Sequence, residues 1–177
     1  MLVVGAEEVN AETVLPFAAM RALSTSSDPQ TASRPFDQQR NGLVAAGGAV
    51  CLILEEAGTA RARGAPIYAE IAGWGQAADG HNVAISHPEG RGLAEAMRRS
   101  LADAQLAPAQ IDYVNAHATS TVAGDRSEAL ALRTVFTSAG ARPRVSSTKG
   151  LTGHPLSMAG VMEAAFCSLA IRDGFTP

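Results

Sequence analysis

The chain has 177 residues, 46% of them hydrophobic and 18% charged, which is the balance of a globular protein with a core of its own. A net charge of −3 and a small number of aromatic side chains give no reason to expect a nucleic-acid partner. No leader peptide is recognisable. The longest apolar stretch, residues 155–171, contains Glu163 and many small residues, so we expect a buried helix there and no membrane partner.

Two cysteines, Cys51 and Cys167, lie inside apolar runs. This pattern predicts reduced core thiols in a cytoplasmic protein, with a disulfide between them as an open alternative. Neither cysteine has a neighbouring base or helix start that would lower its thiol pKa, so neither is predicted to be a nucleophile.

The first part of the chain predicts a strand, a helix, a loop and a second strand. Residues 1–5 form a buried strand, and residues 14–23 have helical spacing with Pro16 in the first turn. Residues 24–41 are polar and contain two prolines, which predicts a long surface loop. Residues 42–54 are apolar and predict a second strand.

The remaining part alternates strands with helices. The predicted elements are a strand over 67–74, a loop over 75–89, an amphipathic helix carrying Leu93, Met97 and Leu101, a strand over 111–114, a helix opening with Asp125-Arg126-Ser127-Glu128, and a strand beginning at Val145. In the second of these helices, Asp125 and Glu128 have the spacing of a capping box. The alternation predicts an α/β fold with a substantially parallel sheet, whose functional groups lie beyond the carboxyl ends of its strands.

Two polar segments, residues 115–121 and 146–154, follow predicted strands and lead into helices. They carry His117 and His154, and Lys149 lies five residues before the second histidine. Because Pro155 suits a first helical position, His154 lies near the positive end of a helix, which favours a neutral ring able to polarise a carbonyl or stabilise an enolate. From the pattern alone, a purely structural role for both histidines stays open.

Other polar residues fit supporting roles. The hydroxyls of Thr119 and Thr121 suit an amide-bearing substrate arm, and Lys149 can orient its loop or supply positive charge. Glu128 is interpreted as a helix cap, and Glu163 requires a partner inside its apolar helix.

One loop also holds a second histidine pair, His81 and His87. No cysteine or carboxylate accompanies them at ligand spacing, so no metal site is predicted there.

The two histidine segments resemble the β-ketoacyl-acyl-carrier-protein synthases, especially the elongating type II enzymes and related polyketide ketosynthases. The family motif Asn-x-His-Gly-Thr-x-Thr appears as residues 115–121, with Ala118 in place of the usual glycine. The motif Lys-x-x-x-Gly-His appears as residues 149–154. Residues 21–24 and 33–37 are also similar to family segments, as is Gly124-Asp125 with Glu128.

The resemblance implies a thiolase-like fold with α-β-α-β-α layers, present here in incomplete form. Residues 1–56 match the tail of the N-terminal half, and residues 57–177 match the C-terminal half before its last strands. The implied activity is the decarboxylative Claisen condensation of malonyl-acyl-carrier protein with an acyl-enzyme thioester, in fatty-acid or polyketide elongation.

The resemblance also assigns the site residues. His117 and His154 match the histidines that stabilise the thioester enolate, and Lys149 matches the lysine that supports the second of them. Thr119 and Thr121 match the threonines that hold the phosphopantetheine arm. The implied partners are acyl carrier protein and a second ketosynthase chain, in a homodimer or heterodimer, with no cofactor beyond the phosphopantetheine that carries the substrates.

Departures from the family pattern limit what we expect of this chain alone. The family's nucleophilic cysteine belongs upstream of Leu2, and its Phe-Gly-Gly-Thr-Asn segment has no counterpart in these residues. Residues 45–48 depart from the usual Gly-Glu-Gly-Ala pattern. We therefore expect a chain that does not perform the full reaction and requires a partner to cover apolar surface. The alternatives are a non-catalytic partner similar to a chain-length factor, and a degenerate remnant.

Overall fold

The computed structural model describes all 177 residues. The strands and α-helices, in chain order, are β1 (Leu2–Glu7), α1 (Ala11–Ala19), α2 (Pro29–Ala32), β2 (Gly48–Ile53), α3 (Ala57–Ala62), α4 (Arg91–Asp103), β3 (Tyr113–Asn115), α5 (Val122–Val135), β4 (Arg144–Ser146), α6 (Lys149–Thr152) and α7 (Ala159–Asp173). Single 3₁₀ turns cover Pro108–Gln110, Thr137–Ala139 and Leu156–Met158. The α/β class is as predicted.

Strands β1 and β2 form an antiparallel ribbon, with Leu2 opposite Ile53 and Glu7 opposite Gly48. One face of the ribbon packs on the start of α7, where a Cβ added to Gly5 would lie 3.2 Å from the Met158 side chain. The opposite face is open to solvent. The prediction of a mainly parallel sheet is therefore wrong for this pair of strands.

The open face of the ribbon corrects two further predictions. Leu2 is 65% exposed, although residues 1–5 were predicted to be fully buried, because side chains along a strand alternate between the covered and the open face. Cys51 lies on the open face and is exposed, so it is not the predicted core thiol. Cys167, in α7, is half-buried, and both cysteines are free.

Strands β3 and β4 pair in parallel, with Tyr113 beside Arg144 and Asn115 beside Ser146. Helices α4 and α5 pack together next to this pair. Their buried contacts form the main hydrophobic cluster, which consists of Ala94, Ala131, Leu132, Val135, Phe136 and Ala141, with Leu93, Met97 and Leu101 packed against it. The predicted amphipathic helix is therefore confirmed, and its apolar stripe faces α5.

The strand predicted over residues 67–74 is absent, and no helix or strand lies between α3 and α4. A strand requires backbone hydrogen bonds to a neighbour, and no other strand of this chain lies beside these residues. Ile71 and Trp74 are correspondingly exposed. Their apolar character indicates a surface suited to packing, but the local sequence does not supply the pairing partner.

Residues 42–46 run as an extended segment between the two histidine loops. Leu43 forms a parallel bridge with Leu23, and Ala45 forms one with His154. The predicted strand over 42–54 therefore begins only at Gly48. The first helix is likewise displaced: it begins at Ala11 rather than Val14, because the Asn10 side chain accepts a hydrogen bond from the Thr13 amide and caps it.

The apolar stretch 155–171 forms a 3₁₀ turn followed by most of α7, and Gly174 in left-handed conformation closes the helix. Among the helices of the structure, none has both the length and the apolar character that crossing a membrane requires.

Candidate active site

The two polar segments meet at the carboxyl ends of β3 and β4. The Ala116 amide donates to the Ser146 carbonyl at 2.8 Å, and the Ser147 hydroxyl donates to the Ala118 carbonyl at 2.7 Å. The His117 and His154 rings lie 5.2 Å apart between centroids and nearly perpendicular, at 88°. Parallel pairing of two short strands thus brings together histidines that are 37 positions apart in the sequence.

The Glu128 side chain holds the first histidine loop. Its two carboxylate oxygens accept hydrogen bonds from the backbone amides of His117 at 2.8 Å and Ala118 at 2.7 Å. The side chain is buried, and burial raises its carboxyl pKa while the two amide donors oppose the shift. The interpretation of Glu128 as a helix cap is therefore wrong. Helix α5 begins at Val122, so Glu128 lies in its second turn and faces the loop.

The periodicity of α5 carried a signal for this role. Glu128 falls on the same helix face as Ala131, Leu132 and Val135, all of which are buried. A carboxylate on an inward face requires donors from another part of the chain, because burial without them is costly.

Lys149 and Glu163 form the ion pair that supports the second histidine loop. The Lys149 ammonium donates to the Glu163 carboxylate, and the lysine side chain is completely buried. Burial raises the pKa of the Glu163 carboxyl, and the adjacent ammonium opposes that rise. The partner that the sequence required for Glu163 is thus the lysine of the candidate site.

The surroundings favour the neutral form of both histidines. Burial lowers the pKa of His154 to about 4, and the charges of His117 and Lys149 add to the effect while Glu7 opposes it. Burial followed by the Lys149 charge likewise lowers the pKa of His117 to about 4. His117 nevertheless keeps an exposed surface, as expected for a ring crowded by protein atoms but open on one side. The direction of its shift, toward the neutral ring, follows from crowding and charge together.

The cause of the His154 shift differs from the sequence-based prediction. The sequence predicts that the field of a helix N-terminus lowers this pKa, but a 3₁₀ turn separates His154 from α7, and burial is the largest cause of the shift. A neutral imidazole carries one N–H donor and one acceptor nitrogen. The Nδ1 atom of His154 is buried and has no hydrogen-bond partner within the chain.

The backbone around His154 is fixed by the extended segment 42–46. The His154 amide donates to the Val44 carbonyl at 2.7 Å, and the His154 carbonyl accepts from the Ala46 amide at 3.1 Å. Gly153 has a φ of 71°, and a Cβ at this position would lie 2.9 Å from the Val44 carbonyl oxygen. Only glycine fits this approach, which explains why the motif places glycine directly before the histidine.

Thr119 and Thr121 follow His117 and lead into α5. Their hydroxyl oxygens lie 3.1 Å apart, and Thr119 is buried while Thr121 is half-buried. The structure therefore places both threonines beside His117, with hydroxyls close enough to hydrogen-bond each other.

Ala118 fits the first histidine loop without strain. It is buried, and it is not among the residues with positive φ, so this position does not require the glycine usual in the family.

Replacing Ala118 by glycine should destabilise the protein by about 1 kcal/mol, because glycine gains backbone entropy in the unfolded chain and leaves a methyl-sized gap. Urea unfolding at neutral pH measures the change. An Ala118→Gly variant as stable as the parent, or more stable, would show that alanine strains the loop.

The second histidine pair does not join the site. The rings of His81 and His87 lie 5.0 Å apart in the loop before α4, and the structure contains no group of three side chains suited to hold a metal ion. Cys167 lies on α7, where burial raises the pKa of its thiol and disfavours a thiolate.

Comparison with known families agrees with this geometry. Residues 1–60 match the model of the N-terminal domain of beta-ketoacyl synthases, and residues 68–177 match that of the C-terminal domain. The chain therefore belongs to the β-ketoacyl synthase family, and the predicted resemblance is confirmed.

Individual relatives show how much of the family fold the chain spans. The chain is 47% identical over 162 residues to 3-oxoacyl-[acyl-carrier-protein] synthase 2 of Coxiella burnetii, a match that covers 91% of this chain and 39% of the relative. It is similar to the crystal structure of a beta-ketoacyl synthase from Burkholderia phymatum, with a TM-score of 0.90 and 42% identity over 96% of this chain and 41% of the other.

A third similar protein is a type II PKS ketosynthase solved in complex with its acyl-carrier protein, with a TM-score of 0.90 and 31% identity over 97% of this chain and 43% of the other. These likenesses confirm the thiolase-like α/β fold. The chain spans about two fifths of the length of the relatives it matches.

Proposed function

We propose that this chain supplies the enolate-stabilising part of a β-ketoacyl-acyl-carrier-protein synthase, which elongates fatty-acid or polyketide chains. The observation that carries the proposal is the pair of histidine rings, with centroids 5.2 Å apart, anchored by Glu128 on one side and by the Lys149–Glu163 pair on the other. Packing alone does not require two neutral rings face to edge beside a buried lysine.

The proposed reaction uses these rings as preorganised donors. When a malonyl thioester loses carbon dioxide, the electron pair of the broken C–C bond passes to the thioester and charge develops on its oxygen. A neutral imidazole retains one N–H group, so both His117 and His154 can donate a hydrogen bond to that developing charge. The enolate carbon then bonds to the carbonyl carbon of an acyl group on an enzyme cysteine, and the cysteine thiolate leaves.

The supporting residues have separate roles in this proposal. Lys149 positions the His154 loop and adds positive charge near the developing oxyanion. Thr119 and Thr121 hydrogen-bond the phosphopantetheine arm that carries the substrate, and their neighbouring hydroxyls suit its amide groups. Side chains and the carried arm supply the proposed chemistry, and no metal is assigned a step in it.

The names of similar proteins support the partners we propose. One relative is named 3-oxoacyl-[acyl-carrier-protein] synthase 2, and one similar structure is a ketosynthase in complex with its acyl-carrier protein. We infer that the partners are acyl carrier protein and a second ketosynthase chain, in a homodimer or a heterodimer.

We also propose that residues 1–56 belong to the N-terminal half of the fold and residues 57–177 to the C-terminal half. Two free cysteines support a cytoplasmic location.

The test of the function is His154→Ala in the full-length synthase. We expect release of carbon dioxide from malonyl-acyl-carrier protein to fall by about 10²–10³-fold, the usual cost of losing one oxyanion donor. Acylation of the enzyme cysteine, followed by mass spectrometry, should persist. The matched control His81→Ala removes an exposed histidine outside the site. Unchanged decarboxylation in His154→Ala would refute the assignment.

A second candidate function is a chain-length-factor-like partner without catalysis of its own. Its support is the likeness to "The ishigamide ketosynthase/chain length factor", with a TM-score of 0.87 and 34% identity. Retention of both histidines and of the buried Lys149 favours the catalytic role. The decarboxylation assay separates the two, because a chain-length factor should show no loss in His154→Ala.

A further inference from the structure

Residues 33–36 connect the two histidine loops although they belong to neither. The Ser33 hydroxyl donates to the Lys149 carbonyl at 2.6 Å, in the loop that leads to His154. The next residue turns to the other loop, where the Arg34 amide donates to the Ser120 hydroxyl oxygen at 3.1 Å. Consecutive residues thus bind the two loops whose histidines form the candidate site.

The far end of this segment is anchored in the core. The Phe36 amide donates to an oxygen of the buried Asp125 carboxylate at 2.8 Å, and the Phe36 side chain packs against the main hydrophobic cluster. Phe36 has a φ of 64°, a left-handed conformation that costs a non-glycine residue about 1–2 kcal/mol. Packing and the hydrogen bond to Asp125 hold it there, so the segment cannot shift without loss of both.

We propose that residues 33–36 act as a strap that fixes the separation of the two histidine loops, with Ser33 as a positioning residue. This inference rests on the proposed function, because it assigns the strap to the site in which His117 and His154 act together.

Ser33 has this role because its partner, the Lys149 carbonyl, lies in a short turn of the His154 loop that has little stability of its own. The Lys149 carbonyl also accepts from the Gly153 amide at 3.0 Å and closes the four-residue helix α6 directly before His154. So short a helix is not stable by itself. Without the Ser33 hydroxyl, the turn loses its hydrogen bond to the strap and keeps only the approach of Pro35 to Gly150, so we expect water to gain access to the His154 ring.

The protonation of the histidine rings can be used to measure their burial, provided that the charged groups around them stay the same. His154 is influenced by His117, Lys149 and Glu7, and His117 is influenced by Lys149. None of these groups is altered by Ser33→Ala, so a change in histidine protonation reports a change in burial. Because burial is what disfavours the charged ring, a loosened turn raises the pKa of His154.

The experiment follows the protonation of the histidines by NMR in the 177-residue chain carrying Ser33→Ala, and thermal unfolding checks that the variant is folded. At pH 5 a group with a pKa of about 4 is protonated in roughly a tenth of molecules, and we expect that fraction for His154 to rise to about a half in the variant. The signals of His81 and His87 should not change. Ser33→Thr, which keeps the hydroxyl, should restore the parent behaviour.

The matched control is Ser26→Ala, in the same segment of chain. The Ser26 hydroxyl bonds only to nearby residues, Asp28 and Thr31 at the start of α2, and not to either histidine loop, so its removal should leave His154 unchanged. A folded Ser33→Ala protein with the parent protonation of His154, or an equal change in Ser26→Ala, overturns the proposal.

Kinetics of the full-length synthase separate this inference from the proposed function. Ser33→Ala should lower kcat by about tenfold with little change in KM, since the strap positions groups that act in the transition state. If the parent synthase shows no decarboxylation but His154 is more protonated in Ser33→Ala, the proposed function is wrong and the positioning role of residues 33–36 is still supported. If the parent synthase is active but the protonation of His154 does not change in Ser33→Ala, only the positioning role of residues 33–36 is wrong.

Discussion

Replacing Lys149 by methionine should lower the free energy of unfolding by about 3–5 kcal/mol at pH 7, the range observed when one partner of a buried ion pair is removed. The lysine side chain has no exposed surface, and its carboxylate partner Glu163 is only 15% exposed. Methionine fills a similar volume, so the loss reports the unpaired carboxylate rather than a cavity. Chemical denaturation at constant pH measures it.

The free energy of unfolding of the Lys149→Met variant should also depend on pH, and the pKa of Glu163 determines the direction of that dependence. Burial already raises the pKa of Glu163 above its usual value, and Lys149 is the group that lowers it. Without the lysine, the folded protein binds a proton at Glu163 more tightly than the unfolded chain does. Such a group contributes stability below its unfolded pKa and loses it as pH rises through the folded pKa. The variant should therefore be relatively more stable at pH 5 than at pH 7.

Two further variants test whether the loss of stability in Lys149→Met comes from the unpaired Glu163 carboxylate. The double variant Lys149→Met with Glu163→Leu removes both charges and should recover most of the stability, because a buried pair replaced by apolar residues is often neutral. The control Arg99→Met breaks an exposed pair with Glu95 together with a hydrogen bond to the Gln76 carbonyl, and should cost no more than about 1 kcal/mol. A single variant as tolerant as Arg99→Met would show that Lys149 and Glu163 are not coupled in the folded protein.

The catalytic consequence of Lys149→Met follows from geometry. Lys149 begins the turn that ends in His154, so its loss displaces the ring as well as removing a positive charge near the site. A displacement of about 1 Å in a reacting group can cost roughly 100-fold in rate. The proposed function therefore predicts loss of decarboxylation in Lys149→Met even where the double variant has regained its stability.

Sequence reasoning found the two histidine loops because their signals are local. Apolar strand, polar loop and helix follow one another within a few residues around His117 and around His154, and parallel pairing then brings the two loops together. Gly153 is recognisable locally because it directly precedes His154 in the motif, although the close approach that requires glycine there comes from the Val44 carbonyl, far away in the sequence.

Contacts across long stretches of chain could not be predicted in the same way. Ser33 and Lys149 are 116 positions apart, and nothing near either residue indicates the other. The spacing of Glu128 from Asp125 is that of a capping box and predicts a helix cap, whereas both carboxylates accept hydrogen bonds from backbone amides of other segments. The failed strand over 67–74 has the same origin, since pairing depends on a neighbour that the local pattern does not specify.

Replacing Glu128 by glutamine should destabilise the protein by about 1–3 kcal/mol, because one buried amide then faces an NH₂ group instead of an acceptor. The carboxylate now satisfies the amides of both His117 and Ala118, and glutamine has only one carbonyl oxygen to replace its two oxygens. Glu128→Ala leaves both donors without a partner and should cost about twice as much. Urea unfolding at pH 7 measures both variants.

The same variants test whether Glu128 positions the site. Because the carboxylate holds the backbone of His117 rather than its ring, Glu128→Gln should lower decarboxylation by about 100-fold through displacement of the loop, with little effect on KM. Glu95→Gln, on the exposed face of α4, is the matched control and should leave stability and rate unchanged. If Glu128→Gln loses stability but keeps its rate, the carboxylate supports the fold alone, and the position of His117 must then be fixed by the hydrogen bonds that join its loop to β4.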